Sequence, residues 1–546
     1  MRFLFFISLF LTTNSFAQKL SKADKSIVAN LKTSISYLAD DKLEGRRAGT
    51  PGEKLAITYI TSQFQQAGLS PKGAEGFQQS FEINDGKEIG ASAIFSVNGQ
   101  ELKKGSEFFP LAFSPNSGSI EAVVSLSLSE SGQPWFKDLG DVLMNNKDNP
   151  HFDINSEIQS IIKNAATKGA KALIFYNSSN LADNVKFDPR DKMETAAIPV
   201  FYLMSTAREK YLKDLSADYD ITLKSDLAEK KRTASNVIGY IDNGAASTIV
   251  FGAHFDHLGY GEDGNSMLRN GSKEIHNGAD DNASGTAALM ELAKLMKKSK
   301  SKQNNYLFIA FSGEELGLFG SKYFVEHPTI NLTNVNYMIN MDMVGRLNDS
   351  TKTVTIGGYG TSPAWNNILS GIKKLPFTVR YDSSGTGPSD HTSFYRKDIP
   401  VLFFFTGLHT DYHKPGDDAD KINYNGELQI IKYITAVVDN SKSLGKLAFT
   451  KTREQQTGTA ARFSVSMGIM PDYTFSGSGV RVDGVTDGRA AQKAGLKTGD
   501  VVVQLGEHKI NSMETYMQGL SKFKKGDSTT VKVKRGAEEL TFDIVF

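Results

Sequence analysis

Cysteine is absent from all 546 residues, which excludes disulfides, thiol nucleophiles, thiolate metal sites and a lipidated N-terminal cysteine. Charge excess is lacking too, with 62 basic residues against 61 acidic ones, so neither nucleic acid nor an anionic membrane is expected as the main partner. No apolar stretch reaches the ~20 residues needed to span a bilayer, and no stable membrane anchor is expected. The run Phe3–Leu11, about half that length, follows Met1-Arg2 and precedes Ser15-Phe16-Ala17, the order of a signal peptide over residues 1–17 cut before Gln18. That reading places the chain in the periplasm or exterior of a bacterium.

Length and ordinary composition, 39% hydrophobic and 23% charged, suggest about two to four domains at ~150 residues each. Near the N-terminus Ile27, Leu31, Ile35 and Leu38 recur at helical spacing. A second helix is expected after Gly52, with Leu55, Tyr59, Ile60 and Phe64 inward and Gly68 as its stop. Between them KLEGRRAGTPG (42–52) reads either as a surface turn or as a lip of a cleft. From about 100 to 230 the texture turns to short strands such as 122–124, 172–175 and 199–202, with one helix carrying Ile158, Ile161, Ile162 and Ala165. No ligand set appears there.

Beyond residue 234 strand, loop and helix alternate. Buried strands are expected over 248–253, 306–311 and 336–341, with a helix over 286–297. His254, Glu314-Glu315 and Asp342 then follow the carboxyl ends of strands, where open α/β sheets place their sites. Segment 446–460 is polar and reads as a linker, and the remainder, 461–546, as a small unit of its own.

Chemistry concentrates in GAHFDHLG (252–259), NGADDNASG (277–285), FSGEELGLFGS (311–321), INMDMVGR (339–346) and DYHKPGDD (411–418). They supply two histidines, His254 and His413, and three carboxylates, Asp281, Glu315 and Asp342, suited to two cations. The three carboxylates and one shared hydroxide would balance two zinc ions, with the imidazoles as neutral ligands. Without metal those carboxylates would repel one another.

These fragments resemble the co-catalytic zinc aminopeptidases, peptidase family M28, and the resemblance runs through both N-terminal helices and about 234–443. It implies an α/β fold, a mixed, mostly parallel sheet sandwiched by helices, over 18–100 and 231–445. It further implies His254 and Asp342 on one zinc, Glu315 and His413 on the other, Asp281 between them, Glu314 as general base and Tyr412 as donor to the oxyanion. Asp256 is expected to accept the far ring N–H of His254, and Asp417 to do similar work for His413. Asp280 reads as either a backbone-orienting or a structural residue. His257, His276, His391 and His409 are expected as hydrogen-bonded cleft or loop residues. SGTGPSDHTSF (384–394) resembles the family's cleft wall, with Asp390 and His391 as supports; cobalt or manganese are possible substitutes for zinc.

NAATKGAKALIFY (164–176) and AIPVFYL (197–203) resemble a protease-associated domain, expected over 101–230 as a β-rich insert. SMGI (466–469) and AAQKAGLKTGDVVVQLG (490–506) resemble a PDZ domain, whose Met467, Gly468 and Ile469 N–H groups would receive a peptide's terminal carboxylate. Ser466 stands where many relatives have glycine. The expected activity is removal of N-terminal residues from peptides by two zinc ions and a bridging hydroxide. A carboxypeptidase or dipeptidase using Arg346 or Arg380, a single-zinc glutaminyl-cyclase-like transferase and a receptor-like binding protein are the alternatives.

Overall fold

The computed structural model describes residues 20–546 apart from 148, 150, 151, 190, 192, 215, 269–271, 374, 375, 453–464, 472–477, 486, 487 and 512. The expected signal peptide lies outside the described residues. No helix among them is long and apolar enough to cross a membrane.

Three strands, Thr248–His254, Asn305–Phe311 and Val335–Met341, are buried along their whole length. Thr248–His254 runs parallel to both others, and Val335–Met341 runs parallel to Val401–Phe405. Strands covered on both faces favour apolar residues throughout, which is why these read as largely hydrophobic runs; the buried Asn336 and Asn340 in the third donate to Asn304 Oδ1 and Ser389 Oγ. Ile249, Phe251 and Ala253 join the larger core under helices Lys22–Leu38, Pro51–Gln66, Gly285–Lys298 and Tyr424–Ser441. Val250 faces the opposite core with Phe324 of Phe319–Glu326 and Phe394 of His391–Tyr395. Gly252 is dictated by the close approach of neighbours: an added Cβ would stand 2.6 Å from Met338 Cε and 2.7 Å from Phe311 Cε2. Antiparallel neighbours, Leu227–Ile241 beside Asn305–Phe311 and Thr353–Gly357 beside Val401–Phe405, extend the sheet. The result is the mixed, mostly parallel α/β architecture expected.

Ser21 and Asp24 form a reciprocal cap on the first helix, and Pro51 opens the second. One expectation about the second helix fails. Leu55 is 41% exposed, and the core stripe is Ala56, Ile57, Ile60 and Phe64. Choosing Leu55 shifted the face by one position, which turns a helix by about 100°.

Gln78–Ile89 and Leu227–Ile241 pair antiparallel as a long ribbon. Between them stand two small sheets. In one, Ile94–Val97 and Ile120–Ser125 flank Asp218–Lys224; in the other, Phe108–Pro110, Val200–Leu203, Ala172–Tyr176 and Pro134–Asp138 lie in that order. Since Ile94–Val97 pairs with a strand over 120 residues later, the inserted unit starts before residue 101. Nor is 446–460 wholly a linker. Leu447 is buried, its N–H donates to Asn336 Oδ1 at 2.8 Å, and the Thr452 N–H donates to Tyr395 Oη at 3.0 Å. Residues 453–460 lie outside those described. The C-terminal unit forms a sheet in the order Ile469–Pro471, Val480–Val485, Val501–Leu505, Ser528–Arg535, Glu538–Val545, with helix Met513–Leu520 beside it.

Candidate metal centre and catalytic cavity

The strand ends bring together the five fragments singled out in the sequence. His254 closes its strand, Glu314 and Glu315 follow Asn305–Phe311, Asp342 follows Val335–Met341, and Asp281 stands just before helix Gly285–Lys298. Tyr412 and His413 come from the segment after Val401–Phe405. His254 Nε2 is 3.4 Å from Asp281 Oδ1 and 3.3 Å from Asp342 Oδ1, a trio whose donor atoms all lie within 4.8 Å. His413 Nε2 is 3.3 Å from Asp281 Oδ2 and 3.2 Å from Glu315 Oε2. Asp281 thus touches both halves. The mixture of imidazole nitrogen and carboxylate oxygen suits zinc, cobalt or manganese.

A further histidine enters this centre. His257 Nδ1 lies 2.8 Å from Glu315 Oε1, and His257 groups with Asp281 and Glu315 within 4.8 Å. Its side chain is wholly buried, whereas His413 lines the open cavity and keeps its far nitrogen on Asn265 O at 2.9 Å. Held on a carbonyl in this way, His413 has the support usual for a metal-bound imidazole. His257, which does not line the cavity, hydrogen-bonds Glu315 from behind it.

Two expected supports have other tasks. His254 Nδ1 is 3.2 Å from the backbone oxygen of Asp256 and 3.7 Å from its carboxylate. The Asp256 carboxylate accepts the Glu314 N–H at 3.1 Å, fixing the turn that splits the adjacent glutamates. Asp417 does not reach His413. Its Oδ2 accepts the N–H groups of Asp280 at 2.9 Å and Asp281 at 3.0 Å. Asp280 accepts the Gly345 N–H at 2.7 Å and has His409 Nε2 at 3.3 Å, so it ties the Asp281 loop to the loop after Asp342.

The segment KLEGRRAGTPG is neither a plain surface turn nor only a lip. Arg46 is fully buried and donates to Leu38 O, to Phe255 O at 2.7 Å, to Asn277 O at 2.6 Å and to Gly278 O at 3.0 Å. Burial pulls its pKa down to about 10, opposed by Asp256, Asp281, Asp417 and Glu315, so it stays charged at neutral pH. It clamps the chain on either side of the centre from behind. Ser389, also unforeseen, donates to Asp342 Oδ2 at 2.8 Å and accepts from Asn340 Nδ2 at 2.8 Å. Only an Asx- or Ser-rich loop hinted at it.

Burial raises Glu314 well above the usual carboxylate range, reinforced by Asp390 and Asp342. Burial opposes a charged His254, but Asp342 and Glu314 outweigh it and hold its pKa well up; Glu315 and Asp281 do the same for His413. Tyr412 is held well above the usual phenol range by burial and by Asp281 and Glu315, and therefore keeps its proton. Its ring stacks on His413 with centroids 3.9 Å apart. Asp390 is fully buried with its pKa pushed by burial to about 7, and His391, stacked on Phe403 at 4.4 Å, is driven down to about 3.

The proposed ligands open, with Glu314, Tyr412 and His391, on a cavity of about 360 Å³. Glu314, Tyr412 and the ligand side chains line it, with an apolar wall of Met343, Phe403, Phe405 and Leu408.

Residues 236–438 match the model for peptidase family M28. The chain carries an M28 peptidase domain. Residues 449–545 match the PDZ domain model, so the M28 domain is followed by a PDZ domain. Aminopeptidase YwaD of Bacillus subtilis is 26% identical over 450 residues, covering 78% of this chain and 88% of that protein. Leupeptin-inactivating enzyme 1 of Streptomyces exfoliatus is 33% identical over 171 residues, 30% of this chain and 37% of that one. Among solved structures, a zinc aminopeptidase from Bacillus subtilis aligns with a TM-score of 0.43 and 22% identity, covering 77% of this chain and 98% of that one.

Proposed function

We propose that the chain is an exported aminopeptidase that removes N-terminal residues from peptides using two divalent cations, zinc in the first instance. In this reading His254 and Asp342 would hold one ion, Glu315 and His413 the other, with Asp281 available to both. The ions would supply a water of lowered pKa and polarise the scissile carbonyl. Glu314 takes the proton of the attacking water and delivers it to the departing amine. Tyr412, still protonated, donates to the carbonyl oxygen as negative charge develops there. His257 and Asn265 keep Glu315 and His413 aimed while the substrate arrives.

The observation that carries the choice among exopeptidases is the cavity's charge. Asp281, Glu314, Glu315, Asp342 and Asp382 line it, and no lysine or arginine does among the described residues. With Asp281, Glu315 and Asp342 offset by the ions, Glu314 and Asp382 remain to suit a protonated α-amine, and no lysine or arginine is at hand to hold a terminal carboxylate. Of the two arginines a carboxypeptidase reading would use, Arg346 is paired with Asp411 at 3.3 Å, and neither it nor Arg380 lines the cavity. The wall of Met343, Phe403, Phe405 and Leu408, with His391 neutral beside it, favours an apolar first side chain.

A free-amine leucyl peptide and its N-acetyl counterpart separate the readings. Loss of turnover on acetylation supports the aminopeptidase; equal turnover sinks it. Glu314→Gln is expected to retain both ions by elemental analysis while kcat falls by about 10²–10⁴. One zinc per active chain would instead favour the cyclase-like alternative.

A further inference from the structure

The catalytic cavity is not built from the peptidase domain alone. Ile469 and Pro471, on the first strand of the PDZ domain, line it together with His254, Asp281 and Glu315. Ile469 is also the last residue of SMGI, the loop that resembles a carboxylate cradle. The strand Ile469–Pro471 is outermost in its sheet and pairs on one side, with Val480–Val485. Its other edge is left for an added strand among the described residues.

We infer that the PDZ loop Ser466–Ile469 receives the C-terminal carboxylate of the same short peptide whose N-terminal amine lies at the metal centre. The inference rests on the aminopeptidase reading above and extends it to substrate length and C-terminal chemistry.

Three observations carry it. A cavity of about 360 Å³ lies at the small end of ligand pockets, roughly 300–1,000 Å³, and holds a short peptide rather than a long chain. No lysine or arginine lines the peptidase wall among the described residues, so the far end of a short substrate must find its donors elsewhere, and the loop ending at Ile469, which lines the cavity, is the one that resembles a carboxylate cradle. Gly468, at φ +79°, lets the loop pack against the stem of Arg489, whose Cβ would stand 2.2 Å from any Cβ added there, so the cradle's shape depends on glycine at this position. The chain's own last residue does not compete. The Phe546 N–H donates to Asp527 O at 3.0 Å, its oxygen accepts from Gly526, and its ring lies 5.3 Å from Phe523.

Ser466 tempers the cradle. The Gly468 N–H donates to Ser466 Oγ at 3.2 Å, so the hydroxyl holds one donor that an incoming carboxylate would need. Short peptides are therefore bound loosely and released readily, as suits a substrate rather than a tether.

The test uses the full chain loaded with zinc, and compares kcat/KM for a leucyl tripeptide with a free carboxyl terminus, the same tripeptide amidated, and a leucyl anilide. The free acid is expected to exceed the amide about tenfold. Ile469→Asp, which sets a carboxylate in the wall, is expected to bring that ratio to about one. Ser466→Ala, an exposed change that frees the Gly468 N–H, is expected to raise it. The anilide rate and the thermal midpoint report whether each variant is folded and its centre intact. Equal rates for acid and amide in the unaltered protein overturn the inference, as does a ratio that neither substitution moves. Absence of anilide turnover overturns the aminopeptidase reading itself.

Discussion

Glu53 shows how one residue ties stability to pH. It is 1% exposed and accepts the Gly49 and Ser235 N–H groups and the Ser312 hydroxyl. Burial nevertheless pushes its pKa up to about 7. Unfolded, a glutamate titrates near ~4.3, so the folded chain holds this proton more tightly. Its contribution is complete below ~4.3, declines as pH rises to about 7 and is level beyond. The loss is on the order of 3–4 kcal/mol. We expect the thermal midpoint to fall across that window and Glu53→Gln to flatten the profile; a slope unchanged in the variant refutes the assignment. At this scale the ligand-type residues were legible because Asp281 and Glu315 each sit beside a second acid, and His254, Glu315 and Asp342 fall at or just past the ends of strands. Arg46, Asn265, Ser389 and the carboxylate of Asp256 were hidden or misread, since their partners lie elsewhere in the chain and no local pattern reports a tertiary hydrogen bond. Leu55 was misplaced because two adjacent apolar stripes on its helix differ by a single register.

Between elements, the loop preceding helix Gly285–Lys298 and the segment after Val401–Phe405 are joined through Asp417. Removing its carboxylate leaves two buried N–H groups, those of Asp280 and Asp281, without an acceptor. We expect Asp417→Ala to weaken metal affinity about 10–100-fold, measured by competition with a chromogenic chelator. Asp417→Asn, which retains an acceptor, should recover most of it. Equal affinity in all three proteins would show that the loop holds Asp281 without this support. The central strands were legible because burial on both faces keeps them mostly apolar. The start of the insert was not, because Ile94–Val97 is short and half-exposed and its meaning depends on Asp218–Lys224, remote in sequence.

For the molecule as a whole, metal uptake and proton release are linked. His254 and His413 are held well above the usual imidazole range by the carboxylates around them, so a cation must displace their protons. Calorimetry of zinc binding in buffers of different ionisation enthalpy should show protons released at pH 7, and affinity should fall as pH drops. No buffer dependence would contradict this. Chelation should abolish turnover and zinc should restore it; full activity after stripping would remove metal from the mechanism.

Arg46 reaches Phe255 across 209 positions of sequence and Asn277 across 231. Contacts so distant close late and slowly, because the intervening polypeptide must give up its freedom first. The buried clamp that Arg46 makes behind the candidate metal centre is therefore absent from any chain not yet built past residue 278, and forms only as the sheet and its loops close together.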